Sequence, residues 1–351
     1  MNKVKLLLLF FAVLTSFYSC SEKNDGAAGI TSLTLSVDKT RIVADTSDYA
    51  IARVTDQNGT DVTSKVTIWF NDKKISAPKI ISVTPCISTA YAEYGSVRSN
   101  EVGIEAVEDK NLKFQKNVLI EQYTGTWCGW CPRAINFIGV LQNTDKNIVH
   151  VAYHLTDEMT FSMNMPLFQS FGFTGIPTVH ADRSLVWSGS SGDIAPMHAP
   201  SRIGISMDVS GNSTKINAEI KVKFGIRFTD GLEISVYLLH DSLIANQSNY
   251  YNTDPNSPYY KKGAIMLDFV HHNVMIQAGT NMFGEKIPVT NVDIGTVYTK
   301  NAVFTDFRCE DIKRIKIVAF VTYESGKKVD KVANCMIAGV GEKKEFVYAG
   351  K

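Results

Sequence analysis

Val118-Leu119-Ile120-Glu121-Gln122-Tyr123-Thr124-Gly125-Thr126-Trp127-Cys128-Gly129-Trp130-Cys131 is the stretch on which the fold turns. It opens with an apolar run, as expected for a strand covered on both faces of a parallel sheet. It closes on two cysteines with two residues between them. Beyond them, Ala134, Phe137, Ile138 and Leu141 recur at i, i+3, i+4 and i+7, the buried stripe of a helix. Ile148-Val149 and Val151-Ala152-Tyr153 then form a second apolar run. The order is strand, CxxC, helix, strand. A right-handed crossover makes the two strands parallel and sets the cysteines at the carboxyl end of the first, where open α/β sheets bind ligands.

Two thiols this close can form a disulfide with each other, and Pro177 in Gly175-Ile176-Pro177-Thr178 can hold a substrate strand beside them. This pattern points to thiol–disulfide exchange. Only a thiolate attacks a disulfide, and a cysteine at a helix start is acidified by the unpaired N–H groups there. Cys128, the more N-terminal sulfur and the one expected to be exposed, is therefore the nucleophile. Cys131, one turn on, resolves the mixed disulfide. Pro132 works against this, because its ring crowds the carbonyl of Cys128 if the helix begins there. A start near Cys131, with Pro132 at the first position, relieves the clash and weakens the dipole's hold on Cys128.

The string from Val118 to Cys131, with Gly175-Ile176-Pro177-Thr178, resembles the thioredoxin superfamily. Glu121-Gln122-Tyr123-Thr124-Gly125 with Cys131-Pro132-Arg133 is similar, more closely, to the thioredoxin-like "outer membrane protein twenty-eight" family. That likeness continues through Phe269-Val270-His271-His272-Asn273-Val274 and Ile317-Val318-Ala319-Phe320-Val321, covering about 112–341. It implies catalytic positions at Cys128, Cys131 and Pro177. Pro177 is then cis, Ile176 presents its backbone to an extended substrate, and Trp127 and Trp130 wall the site. Thioredoxins carry a buried acid six residues before the first cysteine, where this chain has Gln122. Glu121, at seven, serves as proton acceptor for Cys131 only if the Thr124-Gly125-Thr126 loop absorbs one residue. His154, at the end of the second strand, could also move protons near the site, but reads first as a solvated strand-end residue. Peroxide reduction lacks its expected Thr or Ser, since Gly125 stands there.

Lys3, Lys5 and the apolar run Leu6 to Leu14 read as a signal peptide over 1–19, too short for the ~20 residues of a membrane span. The run ends in Phe17-Tyr18-Ser19-Cys20, as at a lipoprotein cleavage site, so Cys20 is the candidate lipidated residue. Residues 20–29, polar and glycine-containing, suit a tether. The expected location is the envelope, as a membrane-anchored lipoprotein of the outer membrane. From 30 to 107 apolar residues alternate, as in Leu33, Leu35 and Val37 or Val66, Ile68 and Phe70, punctuated by Asp56-Gln57-Asn58-Gly59. Period two gives half-buried antiparallel strands, and the stretch resembles bacterial immunoglobulin-like spacer domains.

After a thioredoxin-like α/β domain at 112–201, alternation returns. Ile216, Ala218, Ile220, Val222 and Phe224 interleave with Asn217, Glu219, Lys221 and Lys223, and 202–345 reads as an antiparallel β-sandwich. The fold class is thus multidomain: β-sandwich, central α/β, β-sandwich. Within the last segment, Asn246 to Lys262 is a long loop rich in Asn, Pro and Tyr, a candidate contact for a partner protein or glycan.

With 36 basic against 35 acidic side chains there is no electrostatic footprint for nucleic acid. Six cysteines, less Cys20 and the CxxC pair, leave Cys86, Cys309 and Cys335. Cys309 and Cys335 could bridge, or all three could be small buried hydrophobes. Zinc is not expected, because no second CxxC or HxxxH completes four ligands, and adjacent His271 and His272 point oppositely on a strand. No cofactor is expected. Two functions remain open: exchange with protein thiols and disulfides of the envelope, or a surface binding or adhesion protein in which the α/β domain is a scaffold.

Overall fold

The computed structural model describes residues 29–44, 48–76, 78–107, 112–228, 231–288, 292–324 and 331–350. The expected signal peptide, Cys20 and all of the tether but Gly29 lie outside the described residues. Two compact units divide the chain.

The strands before residue 108 are β1 (Leu33–Val37), β2 (Arg41–Val43), β3 (Ala50–Asp56), β4 (Thr67–Phe70), β5 (Lys73–Ile75), β6 (Lys79–Ile80), β7 (Cys86–Tyr94), β8 (Val97–Arg98) and β9 (Val102–Val107). The first unit takes its described residues from 29–40, 50–80 and 87–104. In it β1, β3 and β6 form one sheet, and β9, β7, β4 and β5 lie in order in a second. The alternation read from the sequence is the burial pattern: Leu33, Leu35, Ala50, Ala52, Val54, Ile68, Phe70, Ala90 and Ala92 are all inside. Asp56 turns the chain, accepting from Gly59 N at 3.0 Å and, through its side chain, from Asn58 N at 2.8 Å.

The second unit begins its main sheet with β10 (Val118–Thr124), α1 (Cys131–Thr144), β11 (Ile148–His154), α2 (Asn164–Ser170), β12 (Thr178–Ala181) and β13 (Leu185–Val186). It continues through β14 (Ile203–Gly211), β15 (Lys215–Phe224), β16 (Leu232–His240), β17 (Leu243–Ser248), β18 (Ile265–His271), β19 (Val274–Ala278) and β20 (Glu285–Ile287). It ends with β21 (Val297–Thr305), β22 (Ile315–Tyr323), β23 (Val332–Gly339) and β24 (Lys343–Lys344). β10 and β11 are parallel, as the crossover requires, and every residue of both is buried. The predicted stripe of α1 packs with Val118, Ile120, Val179 and Trp187 on one face of β10, while Leu119 and Tyr123 enter a different core with α2.

Residues 112–201 and 202–345 do not form separate sheets. One nine-stranded sheet runs β13-β12-β10-β11-β19-β16-β22-β23, with β20 also on β16, so strands from both sides of residue 201 share it. A four-stranded sheet, β21-β15-β14-β24, packs over β16, β22 and β23 on a core of Ile205, Ile220, Val236, Phe304 and Ile317. This is the β-sandwich read from the alternation, but the α/β strands extend one of its sheets.

Candidate functional site

Cys128 and Cys131 are joined in a disulfide. α1 starts at Cys131, as the crowding by Pro132 demands, and Cys128 lies in the preceding turn. That turn is closed by Cys128 N donating to Gly125 O at 3.0 Å and Cys131 N to Cys128 O at 3.1 Å. The Ile176–Pro177 peptide is cis. β12 runs antiparallel to β10 with Thr178 opposite Tyr123, so Pro177 sits at the carboxyl end of β10 where the cysteine turn begins. Pro177 and Trp130 line one cleft. Of the residues singled out in the sequence, Trp130 and Pro177 thus share one cleft, and Trp130 lies within the cysteine turn.

Access differs from expectation. Cys128 is 4% exposed and Cys131 0%, so Cys128 is the more exposed of the two, but both are buried. The cover is the end of β17 and the loop after it, a strap over the turn. Ser248 N donates to Thr126 O at 2.8 Å and Tyr250 N to Gly129 O at 2.9 Å. The Gln247 side chain, itself fully buried, donates to Cys128 O at 2.9 Å. Tyr250 and Tyr251 meet Trp130 edge-on, with ring centroids 5.3 and 5.4 Å apart. Gly129 is where the strap comes closest: a methyl group there would run into the Tyr250 ring. The long loop Asn246 to Lys262 therefore covers the cysteine turn. Its tyrosines were visible in the sequence, but nothing local indicated their partner.

Glu121 is not the proton acceptor. β10 stays regular to Thr124, so the expected one-residue adjustment does not occur. Glu121 lies on the face away from α1, where Arg183 donates to its two oxygens at 3.0 and 2.9 Å and Tyr153 donates at 2.8 Å. Gln122 faces the helix instead and contacts His150 Nε2 through Oε1 at 3.1 Å. The side chain that β10 turns toward α1 at this point is thus neutral. Burial pushes His150 down to about 3. His154 is buried rather than solvated, with Nδ1 2.7 Å from Asp157 Oδ2. That carboxylate also accepts from Thr126 N at 2.9 Å, tying the strand end to the cysteine turn. Burial works to raise Asp157, but the hydrogen bonds from His154, Thr126 and Met159 outweigh it and hold it below the usual range.

Trp127 is about half exposed and donates through Nε1 to Leu155 O at 2.8 Å; Ile176 packs its side chain on the core of Tyr123 and Phe168. Cys309 and Cys335 do not bridge: both are free, as is Cys86. Cys335 is fully buried in the same core, which pushes its thiol far up. No group of three or more His, Cys, Asp or Glu among the described residues could hold a metal ion.

A family model described as "Outer membrane protein Omp28" matches residues 164–344, just over half of the chain. The chain belongs to the Omp28 family. It is accordingly a cell-envelope protein, anchored at the outer membrane. Among solved structures, HBP35 of Porphyromonas gingivalis is similar at a TM-score of 0.53 and 17% identity, over 66% of this chain and 77% of that one. This likeness concerns the fold. A domain of the outer membrane lipoprotein Omp28 from Porphyromonas gingivalis matches at a TM-score of 0.25 and 17% identity, over 39% of this chain and 87% of that one. No curated protein matches the sequence.

Proposed function

We propose that this Omp28 family member is a non-catalytic binding protein of the envelope, in which a thioredoxin-like segment at 112–201 is a scaffold and the Cys128–Cys131 bridge is structural. Residues 30–107 act as an immunoglobulin-like spacer, and Cys20 carries the lipid. The observation that carries this reading is the burial of Cys128 and Cys131 in a turn whose backbone carbonyls are bonded by Gln247, Ser248 and Tyr250 of the strap. A disulfide opens only when a thiolate reaches one of its sulfurs in line, so burial of both cysteines slows the first step of exchange. Two further features support it. Glu121, the carboxylate the sequence offered as proton acceptor for Cys131, is turned to the other face of β10 and engaged by Arg183. The helix begins after Cys128, which reduces the pull of its dipole on that sulfur.

Exchange with protein thiols is the competing reading, favoured by the cis Ile176–Pro177 bond beside the motif. One experiment separates them. The oxidised chain is incubated with a dithiol, and the freed thiols are followed by alkylation against pH; a Cys131→Ser variant is offered to disulfide-bearing proteins in parallel. Slow reduction, with Cys128 alkylating as an ordinary thiol of pKa about 8.5 and no mixed disulfide, is expected. Ready reduction of the native chain, fast alkylation well below that pH and a trapped Cys128 adduct would overturn the scaffold reading.

A further inference from the structure

The strap that closes the disulfide also builds something. Tyr251 from the strap, Trp130 from the cysteine turn, Arg133 and Phe137 from α1, Pro177 and Trp187 enclose a cleft of about 280 Å³. This is at the small end of ligand pockets, which run from about 300 Å³ upward, so it fits a single ring rather than a folded chain. Its walls are aromatic: Trp187 is buried and fixed by Nε1 donating to Ser190 O at 2.7 Å, while Trp130 is 54% exposed and open to the cleft mouth.

Among the described residues that line the cleft, Arg133 is the only one with a charged side chain. Its guanidinium stands 5.2 Å over the ring of Phe137, and no carboxylate among the described residues forms an ion pair with it. A guanidinium without a carboxylate partner keeps its N–H groups for a planar anion, which it can grip with two parallel hydrogen bonds. The cysteine turn itself offers an extended peptide little backbone, because Thr126 O and Gly129 O already accept from Ser248 and Tyr250. What remains on offer is aromatic surface and one cation.

We propose that the cleft between Trp130, Trp187 and Arg133 binds an acidic sugar ring, a uronic-acid unit of a glycan. Its carboxylate pairs with Arg133 and its C–H face lies on an indole, whose ring face carries negative charge density. The proposal rests on the scaffold reading above and names its ligand class.

The test titrates the full chain with trigalacturonate, its neutral methyl ester and an acidic tripeptide, read by tryptophan fluorescence and calorimetry. Saturable binding of the trigalacturonate is expected, weakened by added salt and about tenfold or more by Arg133→Gln, the scale of a lost charge-assisted hydrogen bond. Trp130→Ala should weaken it as well. Arg133 is exposed, so its variant tests the contact and not the fold. The proposal fails if the methyl ester binds equally well, if the tripeptide binds better, if Arg133→Gln changes nothing or if no saturable binding occurs. Thiol trapping reports on the scaffold reading separately, whatever the sugar titration gives.

Discussion

On one face of β10, Glu121 meets Arg183 through two hydrogen bonds and accepts a third from Tyr153; on the other, one residue along, Gln122 meets His150 through one. Both pairs are buried, yet they solve burial differently. The first keeps full charges and satisfies them. The second stays neutral, and it leaves His150 Nδ1 and the Gln122 amide nitrogen without a partner among the described residues. A strand alternates faces with every residue, so neighbouring positions of similar chemistry were assigned opposite tasks. The charged pair joins β10 to the hairpin of β12 and β13, whereas the neutral pair lies beneath α1.

The sharpest way to break this contrast is on the charged side. Arg183→Met leaves the Glu121 carboxylate buried without its cation, which should cost about 3–5 kcal/mol in urea unfolding. Adding Glu121→Leu should recover most of that loss. If Arg183→Met alone is tolerated, Glu121 is not held as a charge.

Acid acts on the neutral side. Burial holds His150 down at about 3 and His271 at about 4, below the ordinary 6.5. Between those values the unfolded chain binds protons that the folded chain refuses, so stability rises with pH across this window and is lost as pH falls from 6.5 toward 4. Each histidine should remove about 2 kcal/mol by pH 5. Below about 3 the folded state takes up the protons as well, and this contribution levels off. A stability profile that stays flat from pH 7 to 5 contradicts the burial of these rings. The smallest effect belongs to Gln122→Leu, which removes the hydrogen-bond partner of His150 Nε2 and should cost about 1 kcal/mol, measured by the same unfolding at pH 7.

The sequence revealed what depends on near neighbours. The stripe Ala134, Phe137, Ile138 and Leu141 gave α1, Pro132 gave its first residue, and period two gave the sandwich strands. It failed where partners are distant. Whether Glu121 or Gln122 faces the helix was one residue of register, and Arg183, which holds Glu121 on the far face, comes 62 positions later. His154 looked solvated because its cover, including His271 with ring centroids 5.0 Å away, arrives from β18. The strap was legible as a long loop but not as a lid, since its bond from Gln247 to Cys128 spans 119 positions. The aromatic cleft was missed for the same reason: Trp130 was legible, whereas Tyr251 and Trp187 come from elsewhere in the chain.

The tip of the hairpin between β12 and β13 carries a consequence for engineering. Asp182 and Arg183 both take positive φ, 46° and 54°, as in a tight two-residue reversal. Such tips usually protrude and accept inserted sequence. This one points inward: Asp182 receives Lys116 Nζ at 2.8 Å and Leu119 N at 2.9 Å, and its carbonyl accepts from Val332 N at 3.0 Å. A peptide tag spliced between these two residues would pry β23 away from β10, so fusions and epitope labels belong at other turns of the chain.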